Sequence, residues 1–215
     1  MASTMPAAQR PRASASAVGT PSLGHGIGAV AIGASAGGIE ALLTVLPQLP
    51  APYPAPLFVV VHLPRERSSL LADLFAARCA VPVREAEDKL PVEPGTVYFA
   101  PADYHLLLDK GPTMSLSADA PVNYSRPSID VLFESAADVY GDALAAVVLT
   151  GANDDGAAGL AAVHREGGTT IVQEPATARM AAMPTAALAR VAADFVLSID
   201  GIAALLATLP GAAAR

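Results

Sequence analysis

Tryptophan is absent from this 215-residue chain, and phenylalanine and tyrosine bring the aromatic share to only 5%. With alanine abundant, the expected interior is close-packed from small residues on strands and helices. Cysteine is almost missing too: Cys79 stands alone, so neither an intrachain disulfide nor a CxxC-type thiolate metal site can form. Between Ala76, Ala77 and Ala80 it reads as a buried packing residue rather than a nucleophile. Such usage suits a reducing cytoplasm, the expected location. Positive charge is in deficit, with 13 Lys and Arg against 20 Asp and Glu and a net charge of −7. Nucleic acid is thus not an expected partner, because phosphate binding needs a concentrated basic patch. The small basic group at Arg65 and Arg67 reads as a solvated surface turn. No stretch reaches 18 consecutive apolar residues without glycine or charge, so membrane insertion is not expected.

What remains is a globular composition, 53% hydrophobic and 15% charged, in a chain long enough for one domain with a substantial core. Met1 to Gly26 is rich in Ala, Ser, Pro and Gly and shows no sustained periodicity. It carries Arg10 and Arg12 but no apolar run of secretory length, and reads as a flexible leader. The folded unit is expected over residues 27–210, followed by a tail at 211–215.

Ile27–Ile32 is an apolar run ending at Gly33, and Ile39–Leu46 has helical spacing and closes at Pro47. Leu57–Val61 is five apolar residues in a row, as a strand buried on both faces requires. Ser68–Cys79 reads as an amphipathic helix. Val83–Arg84, Thr96–Ala100, His105–Leu108 and Met114–Leu116 look like short strands among turns such as Pro94-Gly95 and Lys110-Gly111-Pro112. One or more hairpins are expected there. Ser128–Tyr140 reads as a helix with Pro127 suited to its first turn. Alternation then resumes: strand Ala145–Thr150, helix Gly156–Arg165, strand Thr169–Val172, helix Thr185–Val191, strand Phe195–Leu197 and a closing helix near Ile202–Leu209. The expected fold is a doubly wound α/β domain, with a mostly parallel sheet, helices on both faces and a β-hairpin region at an edge.

Ligands in such sheets bind beyond the carboxyl ends of the strands, where the pattern puts Ser35, His62 and the pair Asp154 and Asp155. Gly33-Ala34-Ser35-Ala36-Gly37 fits G-x-S-x-G between a strand and a helix, a sharp turn that exposes a nucleophilic hydroxyl. The helix start beyond it offers free N–H groups to a developing oxyanion. A phosphate cradle is the weaker reading, since G-x-G-x-x-G and a P-loop lysine are both missing. His62 is favoured as general base over His25 in the leader, His105 in the hairpin region and His164 near a helix end. Asp154 and Asp155 admit three readings: an N-cap for the next helix, a metal ligand lacking clustered companions, or a carboxylate that orients His62. The order Ser, His, Asp differs from the Ser, Asp/Glu, His order of α/β-hydrolases.

Taken together, several segments resemble the catalytic domain of the chemotaxis receptor protein-glutamate methylesterase (CheB) family, from about Ala29 to Leu209. They are Ile32–Gly38, Val60-Val61-His62-Leu63-Pro64, Pro94–Pro101, Arg126–Phe133, Leu149–Gly159 and Met183-Pro184. The resemblance implies Ser35 as nucleophile, His62 as base and then acid, Asp155 as its orienting carboxylate, and the backbone N–H groups of Ala36 and Ala152 facing the oxyanion. It also implies hydrolysis of glutamyl methyl esters, with deamidation of receptor glutamines by the same route and no cofactor or metal. The implied partners are the cytoplasmic helical region of methyl-accepting chemoreceptors, with a methyltransferase or a separate response regulator as further candidates. Three departures stand out. Ala152 replaces a frequent Met, Asn123-Tyr124-Ser125 replaces a more basic stretch, and no N-terminal receiver is expected in so short a leader. That last point keeps open a non-catalytic signalling module, and an esterase for small molecules is a third, weaker reading.

Overall fold

Continuous apolar runs become strands covered on both faces, because alternate side chains of one strand point to opposite layers. The computed structural model describes residues 26–62, 70–111 and 113–209. Outside the described residues lie the leader up to His25, the tail from Gly211, Arg65 and Arg67, Pro112 of the expected turn, and the start of the helix expected from Ser68. The strands are β1 (Ala29–Ala34), β2 (Leu57–Val61), β3 (Val83–Glu85), β4 (Val97–Phe99), β5 (His105–Asp109), β6 (Thr113–Ser117), β7 (Leu144–Val148), β8 (Thr169–Gln173) and β9 (Phe195–Leu197). The α-helices are α1 (Gly38–Val45), α2 (Leu70–Ala76), α3 (Ile129–Tyr140), α4 (Ala157–Arg165), α5 (Ala182–Arg190) and α6 (Ile199–Ala207).

Seven strands form one parallel sheet in the order β3-β4-β2-β1-β7-β8-β9. Val30 and Ile32 of β1 join Val59 and Val147 beneath Leu42, Val45, Leu205 and Leu206 of α1 and α6. Ala29 and Ala31 turn the other way, with Phe58, Val60 and Val148, toward Ile129, Leu132 and Phe133 of α3 and Leu160 of α4. The chain builds outward from β1 through β2 to the edge strand β3, steps back to place β4 between β3 and β2, and returns to the other side of β1 at β7. The strand order therefore reverses between β1 and β7, and the crevice at that reversal is where an open α/β sheet accepts a ligand.

Several details differ from expectation. Val83–Arg84 and Thr96–Ala100 are not hairpin arms; β3 and β4 pair in parallel at one edge of the main sheet. The expected hairpin is made by β5 and β6, a two-stranded sheet separate from the main one, whose Leu106, Leu108 and Met114 pack in the layer of α3. A short connection rich in turn residues looks the same in sequence whichever way the next strand runs. Cys79 is half-buried against the α1 layer rather than enclosed. Pro127 precedes the N-cap Ser128 rather than entering the first turn, whereas Pro184 falls within α5, which begins at Ala182 instead of Thr185.

Helices α3 and α4 approach closely because Gly159 has no side chain. A Cβ there would stand 2.7 Å from Phe133 Cβ and 3.0 Å from the Asp130 backbone. Backbone cannot yield as a flexible side chain would. Gly159→Val is expected to lower the unfolding free energy by about 2–3 kcal/mol through overpacking; urea denaturation checks this, and an unchanged midpoint contradicts it.

Candidate active site

The serine turn is built by small residues. Gly37, in the left-handed region at φ 83°, carries the chain from β1 into α1, a conformation that glycine adopts without penalty. A Cβ on Gly38 would lie 2.7 Å from that of Ala34, so the helix starts as close to the strand as backbone allows. Ser35 N–H donates to Thr150 O at 2.9 Å and Gly38 N–H to Ser35 O at 2.8 Å, which ties this turn to the one after β7. Ser35 is half-buried and its hydroxyl bonds to no described residue. Thr150 Oγ1 donates to Ala36 O at 2.9 Å and accepts from Met180 N–H at 2.9 Å. The backbone N–H groups of Ala36 and Ala152 are likewise unpartnered among the described residues, and both alanines are exposed.

His62 follows β2, its N–H donating to Ala34 O at 3.1 Å. Its Nε2 lies 2.8 Å from Asp155 Oδ2, and its Nδ1 lies 3.3 Å from Asn153 Nδ2. An ionised carboxylate only accepts, so Nε2 carries the proton. In the neutral ring Nδ1 then presents a lone pair.

Asp155 is 1% exposed. Its Oδ2 also accepts from Ile129 N–H at 2.7 Å, and its Oδ1 from Ser128 Oγ at 2.8 Å, Asp130 N–H at 3.1 Å and Asn123 Nδ2 at 3.1 Å. It thus caps the N-terminus of α3 from a distant loop, where free N–H groups and the helix dipole favour negative charge. Burial pushes this carboxyl up, but the bonds from His62, Ile129 and Ser128 outweigh burial and hold it below the ordinary aspartate range.

Behind this carboxylate lies a further polar layer. Asn123 Nδ2 also reaches Asp130 Oδ2 at 2.8 Å, and Asp130 Oδ1 accepts from Gly159 N–H at 2.6 Å. Burial pushes the Asp130 carboxyl up. His105 is buried, its Nδ1 accepting from Ser128 N–H at 3.1 Å and its Nε2 donating to Ala120 O at 3.2 Å. Arg126 pins the loop leading to α3, bonding Asp103 at 2.8 Å and the carbonyls of Ala118 and Asp119.

The structure brings His62 and Asp155 into contact and joins the Ser35 turn to the Asp155 turn through the backbone. Asp154 is exposed, and neither aspartate caps α4, whose N-cap is Gly156 without a side-chain bond. His164 is exposed on the last turn of α4, and His25 lies outside the described residues. Among the described residues no group of three or more His, Cys, Asp or Glu could hold a metal. Asn123, Ser128 and Asn153 escaped the sequence reading as site residues. The start of α3 at Ser128 was visible, but which distant carboxylate would cap it was not.

The sequence profile of the CheB methylesterase family matches residues 30–206. The chain belongs to that family. Its fold overlays a crystal structure of the Thermotoga maritima CheB methylesterase catalytic domain with a TM-score of 0.81 and 36% identity, over 83% of this chain and 96% of that one. A Leptospira interrogans protein, provisionally named protein-glutamate methylesterase/protein-glutamine glutaminase, is 45% identical over 181 residues, or 84% of this chain and 94% of that protein. A Bordetella parapertussis protein-glutamate methylesterase/protein-glutamine glutaminase is 42% identical over 186 residues. That match takes in 85% of this chain, which spans about half (53%) of the Bordetella protein. The Met183-Pro184 segment, part of the resemblance to the CheB family, has a structural reason here: a Cβ on Gly151 would run into Met183. Among the described residues no helix is long and apolar enough to cross a membrane.

The depressed Asp155 value fixes the sign of a pH effect. Its stabilising contribution is complete above the unfolded carboxylate value, about 3.9, and is lost as pH falls through the lower folded value. Ser128→Ala removes one donor and is expected to cost about 1–2 kcal/mol at neutral pH. That cost is expected to shrink in acid, as pH falls through the lowered folded value and the carboxylate protonates. Denaturant titrations at neutral pH and across the acid range check it, and a cost independent of pH contradicts it.

Proposed function

We propose that this chain is a serine hydrolase that removes methyl esters from glutamate side chains of chemoreceptors. Ser35 is the nucleophile, His62 the general base and then acid, and Asp155 the group that orients the imidazole. The observation that carries the reading is the 2.8 Å pair of His62 Nε2 and Asp155 Oδ2 at the rim where the Ser35 turn also ends. With Nε2 held by Asp155, Nδ1 is the nitrogen that takes the hydroxyl proton, in place of its long 3.3 Å contact with the Asn153 amide.

The cycle follows from that assignment. Ser35 Oγ attacks the ester carbonyl carbon while its proton passes to Nδ1. The resulting oxyanion is met by the N–H groups of Ala36 and Ala152, donors of a kind worth about 10²–10³ in rate each. Nδ1–H then protonates the methoxy oxygen and methanol leaves. Water attacks the acyl-serine and gives a proton to Nδ1, and Nδ1–H then protonates the departing Ser35 Oγ as the glutamate acid is released and ionises. A glutamine side chain follows the same path with ammonia leaving, in keeping with the double name of the relatives. Asp155 remains an anion throughout and stabilises the imidazolium at each transfer. The intended partners are the cytoplasmic helical regions of methyl-accepting receptors, with a methyltransferase or a separate response regulator as further partners. The cytoplasm is the compartment in which those receptor segments are met.

Ser35→Ala is expected to reduce methanol release from methylated receptor by at least about 10³-fold. Thermal stability is expected to stay within about 0.5 kcal/mol, because the hydroxyl supports no described contact. Gas chromatography of methanol and a circular dichroism melt check the two halves, and full activity in this variant refutes the nucleophile.

A further inference from the structure

Asn153 sits in the turn between β7 and α4, and its Oδ1 is buried without a hydrogen-bond partner. A buried carbonyl oxygen left alone is costly and calls for an explanation. The other end of the same amide, Nδ2, stands 3.3 Å from His62 Nδ1. That is longer than the usual 2.9–3.0 Å of an N–H donor bond. The opposite side of the ring is fixed at 2.8 Å on Asp155.

We propose that Asn153 is a positioning residue for the general base, an amide that turns over with the charge on His62. The proposal rests on the reading of His62 as the base for Ser35 and adds a residue to it. When the ring is neutral, its Nδ1 lone pair repels an oxygen and accepts from Nδ2–H, which leaves Oδ1 unpartnered. When the ring is protonated, Nδ1–H repels the NH2 group, and a half-turn of the amide offers it the oxygen instead. The two ends of an amide are nearly alike in shape, so the exchange needs no repacking. The turned state gives the buried oxygen a partner in a charge-assisted bond, stronger than the neutral bond it replaces. Asn153 therefore favours the imidazolium, the species that forms as Ser35 attacks. No covalent bond changes at Asn153: the proton passes from Ser35 Oγ to Nδ1 and on to the methoxy oxygen, with the amide oxygen sharing it as a second acceptor while the charge lasts.

Of the titratable groups among the described residues, Asp155 touches the ring directly, and Asp130 stands behind it through Asn123. Arg65, Glu66 and Arg67 follow His62 in the chain, outside the described residues. The variants below leave all of these in place.

The test uses the full chain and two readouts: the pH profile of kcat/KM for methylated receptor, and the ring-nitrogen spectra of 15N-labelled His62 through the same pH range. In Asn153→Ala the acidic limb and the ring transition are expected to move to lower pH by about 0.5–1 unit, and kcat to fall about 3–10-fold. Asn153→Asp, nearly identical in shape, places a fixed carboxylate at Nδ1 and is expected to move both to higher pH by about one unit or more. A limb and transition that stay still or rise in Asn153→Ala overturn the proposal, as does the absence of a rise in Asn153→Asp. Should the alanine variant fold poorly, the aspartate variant decides alone. The ring spectra are repeated in a Ser35→Ala background, where no turnover is required. Activity surviving Ser35→Ala overturns the reading of the nucleophile, while the ring transition still tests Asn153 independently.

Discussion

A carboxylate inside a protein loses its water, at a cost of several kcal/mol unless donors replace it. Asp155 receives five: the His62 ring, the Ser128 hydroxyl, the Asn123 amide and two backbone N–H groups that open α3. Much of the surrounding structure serves to bring those donors together. α3 must cross the sheet so that its N-terminus meets the turn after β7. Gly156 and Gly159 must lack side chains so that the helix comes near enough. Arg126 must anchor the loop that carries Asn123, and His105 must hold Ser128 from beneath. The charge is thereby kept where the imidazole needs it.

The histidine is mounted in the opposite sense to the usual serine-protease template, in which Nδ1 faces the carboxylate and Nε2 the serine. Here Nε2 faces the carboxylate. The other nitrogen, Nδ1, is the one nearer the backbone, at the end of β2, beside the β1 strand from which Ser35 emerges. This arrangement follows from topology. Aspartate and histidine come from opposite sides of β1, so the ring must reach across the end of that strand to meet its partner.

Much of this was legible in the chain. β1, β2 and β7 declare themselves as apolar runs because both faces of each strand are covered, and glycines mark the turns at Ser35 and Asp155. His62 could be chosen among four histidines because only it closes such a run. The parallel pairing of β3 with β4 was not legible, since strand direction is decided by distant partners and not by the turn residues between. Nor could local spacing say that Asp155, seven residues beyond the end of β7, would cap a helix beginning at residue 129 rather than its own helix α4. Contacts that close over long sequence separations leave little trace in the local pattern, and the donors around Asp155 are mostly of that kind.

Ile129 illustrates a different economy. Missing side chains at Gly33, on β1, and at Gly156, beyond β7, both leave room for this one residue; a Cβ at Gly156 would stand 2.7 Å from its Cγ2, and one at Gly33 would meet the same methyl. A single aliphatic side chain is thus wedged as a gauge block between the strand that delivers the alcohol and the turn that delivers the acid. The spacing of the two turns is set by the width of an isoleucine, so either glycine could acquire a side chain only if residue 129 became smaller in step.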